Sequence, residues 1–230
     1  RPPGGRGGVE DVPEVAADAV AGWLEAQLVG WHLLSSGRQP VMGVFGAPTV
    51  HAVTPGADVA RRHWDQVLNG SWLGLLSDGE LALPGRGVRR SDDWVGAFDL
   101  IGLRADPPVG VTDEGRLTAW PVGARTDGSG FAPEPDELSL VLERVHETLG
   151  DPTLVVAAHG VTTTDDDWRV ELVRRTVAAI EGARHDGIDV RGYVHDTGID
   201  GYDWHRGFAV PRGVVDRDRR PTPSLSRVLA

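Results

Sequence analysis

Residues 152–196 read PTLVVAAHGVTTTDDDWRVELVRRTVAAIEGARHDGIDVRGYVHD, and the fold turns on this stretch. Leu154–Ala157 is a short apolar run, the pattern of a strand buried on both faces. Three acids follow, Asp165, Asp166 and Asp167. Carboxylates ahead of a helical segment cap its free N–H groups and oppose the positive end of its dipole. The acids therefore predict a helix start rather than a cation site. That helix runs to about Arg184, and Gly187 ends it. Val190–Val194 is the next apolar run. Strand, helix and strand in this order predict two parallel neighbours joined by a helical crossover.

The alternation continues upstream. Residues 14–36 predict a helix with Val15, Ala19, Trp23, Ala26, Val29 and Leu33 on one side, closed by Gly37. Val41–Gly46 predicts a buried strand, followed by a long polar connection. Arg61–Leu76 predicts a helix with Trp64, Leu68 and Trp72 in line, and Phe98–Leu103 another buried strand. Val109–Val111 and Leu117–Val122, around Asp113-Glu114-Gly115, suit a small hairpin. From about Pro135 a helix aligns Leu138, Val141, Leu142, Val145 and Leu149. Four strands alternating with four helices predict an α/β fold with a parallel sheet. The 230 residues suit a single domain, 1–230, with the Gly/Pro-rich residues 1–13 as a loop.

Composition narrows the function. There is no cysteine, so disulfide and thiolate chemistry are excluded. All 23 basic residues are arginine, which excludes Schiff-base lysines. The net charge of −11, with both signs interspersed, argues against nucleic acid as a partner. No apolar run is long enough to span a membrane and no signal-peptide pattern is present, so a cytoplasmic location is expected. No cofactor motif and no H-x-x-x-H or H-E-x-x-H spacing is present, so neither cofactor nor metal is expected. Eight tryptophans are many. Rings of this size line sugar sites but more often fill cores.

Residues 189–208 read DVRGYVHDTGIDGYDWHRGF, followed by GVVD at 213–216 and RRPTPS at 219–224. This run resembles the C-terminal end of glycoside hydrolase family 1, the β-glucosidase-like enzymes: G-Y-x-x-W-S-L-x-D-N-F-E-W-x-x-G-Y, then R-F-G-L-V and R-x-P-K-x-S. Gly192, Tyr193, Asp200, Trp204, Gly207, Gly213 and Ser224 match by identity, while Tyr202, Asp203 and Phe208 stand for Phe, Glu and Tyr. Upstream, Pro152–Gly160 takes the place of P-x-Y-I-T-E-N-G. Asp99–Leu103 resembles D-F-I-G-I, and Trp72-Leu73 with Gly79 and Pro84 resembles W-F-x-D-P-x-x-x-G-x-Y-P. The resemblance implies a (βα)₈ TIM barrel of which this chain supplies about strands five to eight.

The departures fall on the chemistry. A retaining glycosidase sets a nucleophilic carboxylate about 5 Å from an acid/base carboxylate. By the resemblance, Ala158 takes the nucleophile's place and His159 that of the following Asn. Arg104, Ala105 and Asp106 stand where the family has N-Y-Y. Asp196 and Thr197 replace its W-S pair. The T-x-N-E-P motif that carries the acid/base is not in this sequence.

Three readings remain open: a pseudoglycosidase acting in binding or scaffolding, an enzyme with new chemistry, and a residual β-glycosidase. For new chemistry the candidate residues are His159, His195 and Asp196. Against a His–Asp pair, His195 and Asp196 point to opposite faces of a strand. For a sugar-like ligand the candidates are Arg104, Asp200, Asp203, Trp204 and His205. The resemblance also implies a partner, a chain or upstream segment carrying strands one to four. Half a barrel leaves two strand edges unpaired and the inner wall, expected to be rich in Val, Leu and Ile, without its opposite.

Overall fold

The computed structural model describes residues 12–202, 207–209 and 211–228. Its elements run α1 (Val12–Leu34), β1 (Met42–Gly46), β2 (Val50–Ala52), α2 (Asp58–Asp65), α3 (Ser71–Asp78), β3 (Glu80–Leu83), β4 (Gly87–Arg90), β5 (Leu100–Arg104), β6 (Val109–Val111), β7 (Leu117–Ala119), α4 (Glu137–Leu149), β8 (Leu154–His159), α5 (Asp166–His185), β9 (Val190–His195) and α6 (Pro223–Val228). Strands β1, β5, β8 and β9 form one parallel sheet in that order. These are the four strands expected from the sequence, joined by helical crossovers. The fold is a TIM-barrel-type α/β arrangement covering part of the barrel.

Three details differ from the expectation. The polar connection after β1 contains β2, which pairs in parallel with β6 and joins the expected β6–β7 hairpin in a small sheet. Residues 80–90 form a second hairpin, β3–β4. The expected helix 61–76 is part of one continuous helical run, in which a π-helical turn, Gln66–Gly70, joins α2 to α3. The loop expected over residues 1–13 lies mostly outside the described residues, but α1 already begins at Val12.

Alternation of side chains along each strand sorts the main sheet into two walls. One wall faces the helices. Phe45, Ile101, Leu103, Leu154, Val156 and Val190 pack there against Leu24 of α1, Trp72 of α3, Leu142 of α4 and Ile180 of α5. Phe45 stacks on Trp72 with ring centroids 4.7 Å apart. Each fully buried side chain of this size contributes about 1.5–3 kcal/mol relative to exposure. Trp64, Trp72 and Trp94 are core residues, as ring size suggested.

The other wall is the barrel's inner one, and it is smaller than expected. In register across the sheet lie Val44, Gly102, Val155 and Gly192. Ile101, Leu103 and Leu154 turn to the helices instead. A β-carbon at Gly102 would stand about 3.0–3.1 Å from Met42, Val44 and Ala157, so this row has room for little more than it holds.

Among the described residues, the two outer strands are each paired on one side only. Their free edges are not bare. Gln27 of α1 donates its side-chain amide to the Val44 carbonyl at 3.1 Å. Arg184 of α5 donates to the Val190 carbonyl. Both carbonyls point away from the neighbouring strand.

Leu142 is fully buried between α4 and the sheet. Leu142→Ala should lower the unfolding free energy by about 2–5 kcal/mol, read from the urea midpoint at unchanged slope.

Candidate functional site

The C-terminal ends of the sheet strands carry the residues singled out by sequence, and a bulge decides which way they face. Leu103 pairs with Val156, but the next residue, Arg104, pairs with Ala158. Ala157 is the extra residue of a β-bulge, which re-aims the side chains beyond it. In a regular strand with Val156 toward the helices, His159 would face inward. With the bulge it turns to the helix layer, where its residue is 7% exposed.

The inner mouth therefore holds Ala158, flanked by two ion pairs. Arg104 clasps Asp106 with Nε to Oδ1 at 2.7 Å and Nη2 to Oδ2 at 2.9 Å. Asp106 beside it, opposed by burial and supported by Asp196, raises the Arg104 pKa. At the end of β9, Asp196 Oδ2 accepts from Arg212 Nη2 at 2.8 Å. Two glycines permit the arrangement. A β-carbon at Gly46 would meet Asp106 Oδ2 at 2.7 Å, and one at Gly160 would overlap the Asp196 carbonyl at 1.6 Å. Asp200 accepts from the Arg212 and Gly213 amides at 2.8 and 2.6 Å, closing the turn that carries Arg212. Asp203, Trp204 and His205 lie outside the described residues.

Behind the sheet a hydrogen-bond chain runs in the opposite compartment. His159 Nε2 meets Thr176 Oγ1 of α5 at 3.1 Å, and His159 Nδ1 meets the Tyr193 hydroxyl at 3.0 Å. The same hydroxyl meets His195 Nδ1 at 3.3 Å. Proton positions are set by the network. Thr176 gives its hydroxyl proton to the Leu172 carbonyl at 2.9 Å, so His159 Nε2 must be the donor to Thr176. His159 Nδ1 then accepts from Tyr193, and the Tyr193 oxygen accepts from His195 Nδ1. His195 Nε2 is left without a proton, buried and, among the described residues, without a partner. Burial, with a smaller push from His195, lowers the His159 pKa to about 4. Burial also raises that of Tyr193, which stays a donor.

Beside this chain a small cleft opens between the strand ends and the start of α4, lined among others by Thr49, Asp106, Glu134, Glu137, His159 and Thr176. In it Glu137 Oε2 meets His51 Nε2 at 2.7 Å and Thr49 Oγ1, while His51 stacks on Trp120. Among the described residues no group of three or more His, Cys, Asp or Glu is placed to hold a metal ion. No helix among them is long and apolar enough to cross a membrane.

Arg169 ties the start of α5 to Ser224, a position that matches the family pattern by identity. It is 2% exposed, and its guanidinium bonds Asp166 at 2.6 Å, the Ser224 hydroxyl at 3.1 Å and the Thr163 carbonyl. Residues 118–229, which include both, match the model of Glycosyl hydrolase family 1. Over that stretch, just under half of its length, the chain is similar to glycoside hydrolase family 1.

Beta-glucosidase 10 of Oryza sativa subsp. japonica is 27% identical over 168 residues, covering 59% of this chain and 32% of its own length. A beta-galactosidase of Sulfolobus acidocaldarius is 25% identical over 216 residues, 86% of this chain and 43% of its own. The solved beta-glycosidase from Pyrococcus horikoshii superposes with a TM-score of 0.75 at 24% identity, over 91% of this chain and 51% of that one. The beta-glucosidase from Thermotoga maritima gives 0.78 at 16% identity, over 94% and 55%. The chain thus spans about a third to two-fifths of these curated relatives and about half of the solved barrels.

Several features of the site were not read from the sequence: Thr176, Tyr193, Arg212 and the His51–Glu137 contact. Tyr193 and His195 stand two apart on a strand, and that spacing alone puts them on one face.

His159 links this geometry to acid stability. Its folded pKa lies below the unfolded value of about 6.5, so between those limits the unfolded chain binds more protons. Stability should be unaffected by His159 above about pH 6.5 and fall by up to about 3 kcal/mol as the pH drops toward about 4. Urea titrations should show this slope in the parent and a shallower one in His159→Gln, where His195, its pKa also lowered by burial, still contributes.

Proposed function

We propose that this chain is a pseudoglycosidase, a family 1-like frame that serves binding or scaffolding rather than hydrolysis. The observation that carries the reading is Ala158 at the end of β8, in the position the family motif gives to the nucleophile. A methyl group cannot attack an anomeric carbon, and losing a nucleophile costs several orders of magnitude in rate. The carboxylates beyond the ends of the flanking strands do not stand in for it. Asp106 has both oxygens on Arg104, and Asp196 is bonded to Arg212.

The proposed ligand is a sugar-like small molecule at the inner mouth, contacted by Arg104 and by residues of the segment after β9, Asp200, Asp203, Trp204 and His205 among them. A second half carrying strands one to four is proposed to complete the sheet, as a separate chain in a heterodimer or as another part of the same polypeptide. Support for it comes from the one-sided pairing of β1 and β9, the small residues of the inner wall, and the solved barrels, which are about twice as long.

A panel of aryl β-glycosides tests the first part. No turnover above background is expected, and Ala158→Glu alone should not create any, because no acid/base is supplied. Turnover that disappears in Asp106→Asn or Asp196→Asn would overturn the reading. For the second part, light scattering should find the isolated chain associating. A monodisperse, cooperatively unfolding monomer of 24.6 kDa would count against a second half.

A further inference from the structure

Helix α1 is apolar on more sides than this chain covers. Asp18, Glu25 and His32 are exposed and recur every seventh residue, which is two helical turns, so they form one charged row that marks the solvent side. Ala17 and Leu24 are buried, and Val20, Leu28 and Trp31 pack partly against the same core. Ala19, Trp23, Ala26, Val29 and Leu33 make a second apolar row, and it is exposed. Trp23 is 41% exposed, Val29 58% and Leu33 73%. The spacing that predicts this helix from the sequence belongs to that second row. A helix apolar nearly all round is ordinarily enclosed. The other long helices of the sheet differ: α4 exposes Glu143, Arg144 and Glu147, and α5 exposes Glu171, Arg174 and Glu181.

The direction of the second row follows from its neighbours. Gln27 stands between the two apolar rows, with Leu24 and Trp31 on one side and Trp23 on the other. Its side chain reaches the Val44 carbonyl on the free edge of β1 at 3.1 Å. The Trp23 ring meets Phe45 of β1 edge-on, with centroids 5.7 Å apart. The exposed row therefore begins at the free edge of β1 and ends at the charged row. A parallel neighbour of β1 is reached through a helical crossover, and α1, directly ahead of β1 and over its free edge, has the crossover's place.

What would cover the row is a strand–helix unit of the missing half. The solved barrels have room for one, since this chain spans 51% and 55% of their lengths. A second copy docked on this row alone would leave the edge of β1 open. It would also use five side chains where a stable interface takes about 20–30 residues a side. We propose that Ala19, Trp23, Ala26, Val29 and Leu33 are the docking face for the second half: its last strand pairs with the free edge of β1, and the helix leading into that strand lays an apolar face on this row. The inference rests on the second half proposed above and adds where it is held.

The test uses the assembly isolated from the source organism, its composition set by light scattering and mass spectrometry. Hydroxyl-radical labelling of Trp23 is read on the unmodified protein. A photo-cross-linking benzoylphenylalanine is placed at position 29 and, as a control, at position 140, where Leu140 is exposed on α4. Trp23 should be labelled severalfold more slowly in the assembly than in the 230-residue chain alone. The adduct from position 29 should lie in the helix leading into strand four, and position 140 should not give it. A second half present with Trp23 labelled as fast as in the chain alone overturns the docking face and leaves the second half standing. An adduct joining two α1 helices assigns the row to a second copy and overturns it too. An assembly with no second half sinks both readings. The labelling needs no substitution, so the test stands even if a substituted protein fails to fold.

Discussion

Sealing one face of the four-stranded sheet is the constraint on which the rest of this molecule depends. Phe45, Leu103, Leu154 and Val156 can be buried only if α1, α3, α4 and α5 lie across them, and that choice leaves the intervening residues to the inner wall. A strand offers no third direction. Every polar residue at the strand ends is thereby assigned to one of two compartments. Arg104, Asp106 and Asp196 reach the open mouth and neutralise one another or Arg212 there. His159, Tyr193 and His195 are drawn behind the sheet, where water is scarce and hydrogen bonds must be found among neighbours. The single extra residue at Ala157 moves His159 from the first group to the second.

How much of this was legible in the sequence depends on the range of the forces involved. The unit 152–196 was readable because its signals are local: an apolar run at Leu154–Val156, a capping carboxylate at Asp165 that accepts from the Trp168 amide, a left-handed glycine at Gly187. Ala158 could be set against the family pattern because an ordered motif surrounds it. Strand register is not local. Nothing in the string VVAAH tells whether one or two residues oppose Arg104, so the direction of His159 could not be read. The hairpin β3–β4 was hidden for a related reason. Its outer strand, Gly87–Arg90, is exposed throughout and carries none of the alternation by which a half-buried strand is recognised.

The strand ends are held by contacts that do not depend on the side chains they carry. Gly46 and Gly160 leave room for groups that approach them closely, ion-paired side chains at the first and a backbone carbonyl at the second. Arg169 still ties α5 to Ser224 across 55 residues of sequence. Contacts of this kind hold the strand ends in place whatever side chains the ends carry. Backbone geometry and side-chain chemistry are under separate control here, and fold alone does not carry function.

Gln27 and Arg184 give the sheet a property of its own. Each places a side-chain donor on an outward carbonyl of an outer strand, one at either border. A foreign strand laid against either border must first evict a donor that already satisfies the carbonyl. It exchanges one hydrogen bond for another, for a net gain near zero where a bare carbonyl would have yielded about 1 kcal/mol. Two side chains thus act as gatekeepers against indiscriminate strand addition. They raise the threshold for chain-to-chain stacking and leave admission to a neighbour that matches the whole border rather than one carbonyl of it.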